Sequence, residues 1–307
     1  MMLLNKIAEQ LHVHLIGNGG IAVSGITYAD VATEDQIAIS MSRSEAMRTA
    51  AKVVLTNKIL LGIDKTLLFC DGAILKTAKE IGELFESHDE YPDYALQESY
   101  TWQDTGWIAG ENVIVGASSH VGAFSCIGKN VQIGSNCIIY PNVYIGAGSI
   151  IGSNVIIKPG VRIASPAFFM YDSHPGNDFV GFGKVKIGNN VTIGSNTVVQ
   201  RGSFADTIIG ADTGIGDGVV IGHDVHIGRK CRIVSQAGIA GRSVLGDGVE
   251  VMGQAGIVEN VNIGESSIIK AKSLVSKNVP DNEVISGLYG RKHIEEMRLQ
   301  AVLRKKF

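Results

Sequence analysis

The stretch "IGKNVQIGSNCIIYPNVYIGAGSIIGSNVIIKPGVRI", Ile127 to Ile163, returns an aliphatic residue at every sixth position. The frame reaches back to Val121 and Val115, resumes at Ile187, Ile193 and Val199, slips by four residues, and then runs from Ile209 to Val275. A period of six fits neither an isolated strand nor a helix, and marks a repeat architecture. Three positions after the aliphatic stand Asn130, Asn136, Asn154, Asn190, Asn196, Asp212 and Gly218, residue types that tolerate the left-handed backbone of a tight corner. The next position is small or β-branched, as at Val131, Cys137, Val155, Val191, Val225, Cys231 and Val261. Each hexad therefore reads as a corner followed by an inward, outward, inward strand. Three hexads close a coil of eighteen residues, and stacked coils about 4.8 Å apart make a parallel β-helix with three faces.

Two segments leave this frame. "SPAFFMYDSHPGNDFVGFGKVK", Ser165 to Lys186, holds aromatic and turn residues and reads as a loop; "GSFADT", Gly202 to Thr207, reads as a shorter extrusion. Before the prism, "LLNKIAEQL" has helical spacing, "GIAVSGIT" and "AKVVLTN" read as strands, and "GAILKTAKEIGELFE" reads as an amphipathic helix starting near Asp71. "GNGG", Gly17 to Gly20, lacks the strand-to-helix context of a phosphate loop and is expected to be a hairpin turn. The division expected is a small α/β domain over residues 1–103, the β-helix over 104–285, and a helical tail over 286–307.

A formal charge of −3 gives no footprint for nucleic acid. Cys70, Cys126, Cys137 and Cys231 lack C-x-x-C spacing and are expected as small core fillers in a reducing compartment. The N-terminus shows neither a signal peptide nor a spanning segment, so a cytoplasmic protein is expected.

Within the repeat, "VVIGHDVHIG", Val219 to Gly228, carries two histidines and an aspartate. His223 falls on a corner, and Gly241 holds the same hexad position one coil later. An imidazole beside an N–H with no side chain over it supplies a general base and an oxyanion donor for acyl transfer. Asp224 can orient the ring or serve the corner alone, and His226 falls on an outward strand position. His174 and the phenylalanines 168, 169, 179 and 182 lie in the loop, where they either touch substrate or pack the loop itself.

These features resemble the hexapeptide acyltransferases, and in particular the N-acyltransferase family of lipid A biosynthesis that acts on UDP-3-O-acylglucosamine. The likeness extends from "IAEQLHVHLIGNGGIAVSGITYADVATEDQIAI" through "NTVVQRGSFADTIIG", "VVIGHDVHIG" and "QAGIAGRSVLG". It implies a mainly β protein, a left-handed parallel β-helix with a nucleotide-binding N-terminal domain and a C-terminal helix, assembled as a homotrimer. His223 matches the base and Gly241 the oxyanion glycine. His226, Asn260, His174 and Phe182 would meet substrate, Asn260 standing where the family has a later histidine. The reaction implied moves a 3-hydroxyacyl group from acyl carrier protein to the 2-amine of a nucleotide sugar, with acyl-ACP or acyl-CoA as co-substrate and no bound cofactor or metal. Arg298, Arg304, Lys305 and Lys306, with Arg291, would suit the acidic carrier. The chain departs from the family in two places. "QIAISMSRSEAM", Gln36 to Met47, contains no aromatic for stacking uracil, and Asp224 stands where an asparagine usually follows the base.

Two alternatives remain open: an acetyl-CoA-dependent N-acetyltransferase of a nucleotide-linked amino sugar, and a non-catalytic β-helix scaffold or binding protein. A zinc carbonic anhydrase on this scaffold would need three coil-matched histidines, and His120, His174, His223 and His226 do not provide them.

Overall fold

The computed structural model describes residues 1–58, 60–85, 101–167, 181–287 and 293–304. The prism has the expected form. Short strands stack in three sheets of eight, nine and ten strands, one for each face of a left-handed parallel β-helix, and all pairings in them are parallel except that of the first strand, Thr101–Trp102, which is antiparallel to Ile108–Ala109. All seven corner residues named from the sequence have a positive φ, from 57° at Asn136 to 65° at Gly218. Val131, Cys137, Val155, Val191, Val225, Cys231 and Val261 are buried, while intervening residues such as Gln132 and Arg232 face out.

Coils are joined by backbone hydrogen bonds, Gly134 N–H donating to Ile151 O at 2.9 Å and Gly152 N–H to Ile187 O at 2.8 Å. This close approach explains the glycine after the aliphatic: a Cβ on Gly134 would lie 2.6 Å from the carbonyl carbon of Gly152. Corner side chains extend the ladder, with Asn154 Nδ2 donating to Asn190 Oδ1 at 3.0 Å and Asn190 Nδ2 to Asp212 Oδ1 at 2.8 Å.

The two interruptions form one structural unit rather than two. Phe182 N–H donates to Ser203 O at 2.8 Å, Lys184 N–H to Asp206 Oδ1 at 2.7 Å, and Lys186 Nζ pairs with Asp206 Oδ2 at 2.6 Å. Residues 168–180 of the longer interruption, with His174, Phe168, Phe169 and Phe179, lie outside the described residues.

The N-terminal elements run β1 (Met2–Leu3), α1 (Leu4–Leu11), β2 (His14–Ile16), β3 (Ala22–Val23), β4 (Ile26–Tyr28), β5 (Ile37–Ile39), α2 (Arg43–Arg48), β6 (Val53–Thr56), β7 (Thr66–Phe69) and α3 (Ile74–Glu83). Strands β4, β5, β6 and β7 pair in parallel, and β2 adds antiparallel to β7. Strands β5 and β6 are buried along their whole length, as parallel strands covered on both faces must be. Helix α3 begins at Ile74 rather than near Asp71, whose carboxylate lies 3.6 Å from His14 Nε2 instead of capping the helix.

Two further expectations are corrected. Gly17–Gly20 makes a turn but not a hairpin, because β2 pairs with β7 while β3 pairs with β1; Asn18 N–H is tied to Thr66 Oγ1 at 3.1 Å. Cys70, Cys137 and Cys231 are buried, but Cys126 is half-buried, since it precedes the aliphatic Ile127 and so takes the outward strand position. At the other end of the chain, α4 (His293–Arg304) forms the expected helix, with Ile294, Met297 and Val302 exposed. Among the described residues, no helix is long and apolar enough to cross a membrane.

The stacked aliphatics carry the prism. Replacing fully buried Ile157 by Ala is expected to cost about 2–5 kcal/mol, read as a lower denaturant midpoint. Burial pushes the Cys231 thiol up, which keeps it protonated and unreactive, so alkylation of the native protein is expected to spare Cys231 and to reach it on unfolding.

Candidate functional site

The corner at His223 and the corner at Gly241 are stacked neighbours. A Cβ on Gly241 would lie 2.5 Å from His223 Nε2 and 2.6 Å from Cε1, so the imidazole lies directly against the glycine. Arg242 N–H donates to His223 O at 2.9 Å and holds the two coils in register.

Position two after the aliphatic has an N–H that the inter-coil ladder does not use. At several corners a side chain one coil on accepts it: Ser153 Oγ from Ser135, Asp217 Oδ1 from Ser195, Asp247 Oδ1 from Arg229, Asp281 Oδ1 from Glu265. Gly241 occupies this position, and its N–H donates to no acceptor among the described residues. An N–H available beside an imidazole is the arrangement the sequence pointed to.

Asp224 does more than turn the corner. Its φ of 58° places it in the left-handed region, and its side chain is only 2% exposed. Oδ2 lies 2.6 Å from His223 Nδ1. Oδ1 accepts from three backbone N–H groups, those of Ser203 at 2.8 Å, Phe204 at 3.1 Å and Ala205 at 2.8 Å. Its own N–H donates to Thr207 Oγ1 at 2.9 Å. With both carboxylate oxygens accepting, the ring proton sits on Nδ1 and Nε2 is left as the acceptor next to Gly241. Ser203 Oγ is buried without a partner, so Ser203 serves here through its N–H.

Beside this edge opens a cleft of about 680 Å³ between the N-terminal domain and the prism. Asp224, His226, Ile208, Arg242 and Val244 form its prism wall, and Tyr28, Gln36 and Phe85 come from the N-terminal domain. The interruptions add Phe182, Lys184, Phe204 and Asp206. The Arg242 guanidinium lies over the Tyr28 ring, 4.2 Å from its centroid, joining the two walls.

Of the residues anticipated from sequence, His223, Asp224, Gly241, His226 and Phe182 gather at this edge. Phe182 also packs, its ring lying against Gly82 of α3 and 5.8 Å from Phe204. Asn260 stands one coil beyond; its N–H donates to Gly241 O at 3.0 Å, while its side chain is exposed and does not line the cleft. Arg298 lies on α4 and is exposed; Arg304 ends that helix, with its side chain outside the described residues, as are Arg291, Lys305 and Lys306 entirely. Sequence reasoning missed Tyr28, Lys184, Phe204, Thr207 and Arg242. Arg242 was within reach, since it stands eighteen residues after Asp224, as Gly241 does after His223. The cleft's aromatic surface comes from Tyr28, Phe85, Phe182 and Phe204 rather than from Gln36–Met47.

The repeat and this corner pair define a β-helix protein of the hexapeptide type. The bacterial transferase hexapeptide family model matches residues 130–165 and 206–241, and the hexapeptide repeat of succinyl-transferase matches 184–202. The curated relatives it matches share one name. The chain is 34% identical to UDP-3-O-acylglucosamine N-acyltransferase of Caulobacter sp. (strain K31), over 42% of this chain and 38% of that one. It is 38% identical to the protein of the same name in Methylorubrum extorquens, over 40% of this chain and 35% of that one. The matched stretches thus span little more than a third of those relatives. Among solved structures, UDP-N-acetylglucosamine acyltransferase of Francisella novicida superposes with a TM-score of 0.55 at 25% identity, covering 65% of this chain and 73% of that one.

Because the φ of Gly241 lies outside the left-handed region, Gly241→Ala is compatible with the backbone, and the three atoms nearest its Cβ all belong to the His223 imidazole. The variant is expected to keep its circular-dichroism spectrum and melting temperature while the His223 ring is displaced, seen as a shifted ring resonance by NMR.

Proposed function

We propose that this protein is an N-acyltransferase that moves a 3-hydroxyacyl group from an acyl thioester to the 2-amine of a UDP-3-O-acylglucosamine-like sugar. The observation that carries this reading is the His223–Asp224 pair at 2.6 Å with Nε2 set against Gly241, beside a cleft between two domains. The names of the relatives and of the Francisella structure support it.

In this mechanism the amine attacks the thioester carbonyl while His223 Nε2 takes its proton, and Asp224 Oδ2 stabilises the imidazolium that forms. The Gly241 N–H donates to the oxyanion of the tetrahedral intermediate, a contribution of about 3 kcal/mol at such sites. Collapse expels the thiolate, which takes the proton back from His223. No covalent enzyme intermediate is required.

The cleft volume of about 680 Å³ suits a nucleotide sugar. Its aromatic wall offers surface for a base, and Lys184 and Arg242 offer charge for a diphosphate. The donor is an acyl carrier protein or CoA thioester, with no bound cofactor. The carrier is engaged through the basic end of the chain, at Arg298, Arg304, Lys305 and Lys306. The protein works as a homotrimer in the cytoplasm, with the base facing a neighbouring subunit.

The test supplies purified protein with UDP-3-O-acylglucosamine and offers 3-hydroxyacyl carrier protein and acetyl-CoA together, with product identified by mass spectrometry. Long-chain amide product is expected; acetyl product replaces this reading with an N-acetyltransferase, and no product with either donor removes it. His223→Ala is expected to lower turnover by ~10²-fold or more with the oligomer intact by light scattering. Retained turnover takes His223 out of the mechanism.

A further inference from the structure

The Gly202–Thr207 extrusion sits where the N-terminal domain meets the base, and its geometry bears on why an aspartate follows His223. Phe204 is 5% exposed and packs in the core of the N-terminal domain rather than in that of the prism. Its ring meets Tyr28 edge-on at 5.5 Å and 81°, and its carbonyl accepts from Thr27 Oγ1 at 2.7 Å. The same three residues, Ser203 to Ala205, aim their N–H groups at Asp224 Oδ1.

From this arrangement we infer that the extrusion is a clamp that selects a carboxylate over an amide at position 224, and that Phe204 is a positioning residue carrying the docking of the N-terminal domain to His223. The inference deepens the reading of His223 as base and rests on it. Three N–H donors converge on one oxygen, so an asparagine at 224 must give its oxygen to the clamp. The opposite rotamer would set an NH₂ against three N–H groups in a buried site, leaving donors without acceptors. With the oxygen so committed, the amide NH₂ faces His223 Nδ1 and donates to it. The ring proton then moves to Nε2, which can no longer accept one from substrate. An aspartate has acceptors at both ends and serves clamp and imidazole together.

The experiment reads the His223 tautomer in the full-length protein without substrate, by long-range ¹H–¹⁵N correlation where the ring is neutral, the signals being assigned by their loss in His223→Gln. Wild type is expected to carry the proton on Nδ1 and Asp224→Asn to carry it on Nε2, with kcat lowered ~10²-fold or more and KM for the nucleotide sugar changed less than about threefold. Asp224→Asn with the proton still on Nδ1 overturns the clamp. Phe204→Ala is expected to weaken the hydrogen-bonded Nδ1–H signal and Phe204→Leu to restore it, with circular dichroism confirming that both fold. A Phe204→Ala protein whose Nδ1–H signal is unchanged overturns the positioning role. Thr27→Val, which removes one hydrogen bond to the Phe204 carbonyl, gives the same readout should Phe204→Ala not fold. These tautomer results stand apart from the acyl-transfer reading, which fails instead if no acyl product forms while the tautomers behave as described.

Discussion

Everything in this molecule depends on the register of one coil upon the next. A β-helix has few contacts between residues distant in sequence other than those one coil apart, so the backbone bonds between coils set position as well as stability. His223 meets Gly241 because Arg242 N–H reaches His223 O and Gly222 N–H reaches Ile239 O, bonds of the kind that run along the whole prism. The scaffold's ordinary ladder thus sets the corner that carries the imidazole beside the corner that carries the open N–H.

The site then departs from the scaffold in two ways. At many corners the spare N–H at the second position is taken by a Ser, Asn or Asp of the next coil, which fastens the edge. At Gly241, as at Ala211 and Ser235, no such bond forms among the described residues, and only here does the N–H lie against the His223 imidazole. At Asp224 a corner residue that elsewhere pairs along the edge, as Asn190 does with Asp212, turns instead to the imidazole and to the extrusion. Polar groups that would otherwise rigidify the edge are redirected toward chemistry, and the extrusion with its Phe204 anchor replaces the lost order.

The prism was legible because its signal is local and periodic: one hexad states which residue turns, which goes in and which faces out. The same count placed Gly241 against His223, and would have placed Arg242 against Asp224 had it been carried one residue further. The cleft was not legible, because its far wall is Tyr28, Gln36 and Phe85, and nothing in a repeat says where a separately folded sheet will lean. The absence of an aromatic from Gln36–Met47 was visible, yet its meaning depended on Tyr28 and Phe204 supplying rings from other segments. Cys126 shows the limit of composition: a cysteine reads as core, and one step of strand phase turned it outward. Asn260 shows the limit of coil arithmetic, which names the edge a residue occupies but not the direction of its side chain.

The extra residues at the extrusion widen the register between neighbouring strands from eighteen to twenty-two positions, and the helix continues beyond them undisturbed. Such a solenoid is an axis with fixed graduations. Material can be inserted at a corner without moving the coils, but two groups on one edge can be brought closer or farther apart only in whole steps of about 4.8 Å. The spacing between the base and any other ligand contact on that edge is therefore quantised by the strand spacing. A change of substrate length finer than one step has to be met by side chains such as Ile208, Val244 and Phe182 rather than by the backbone.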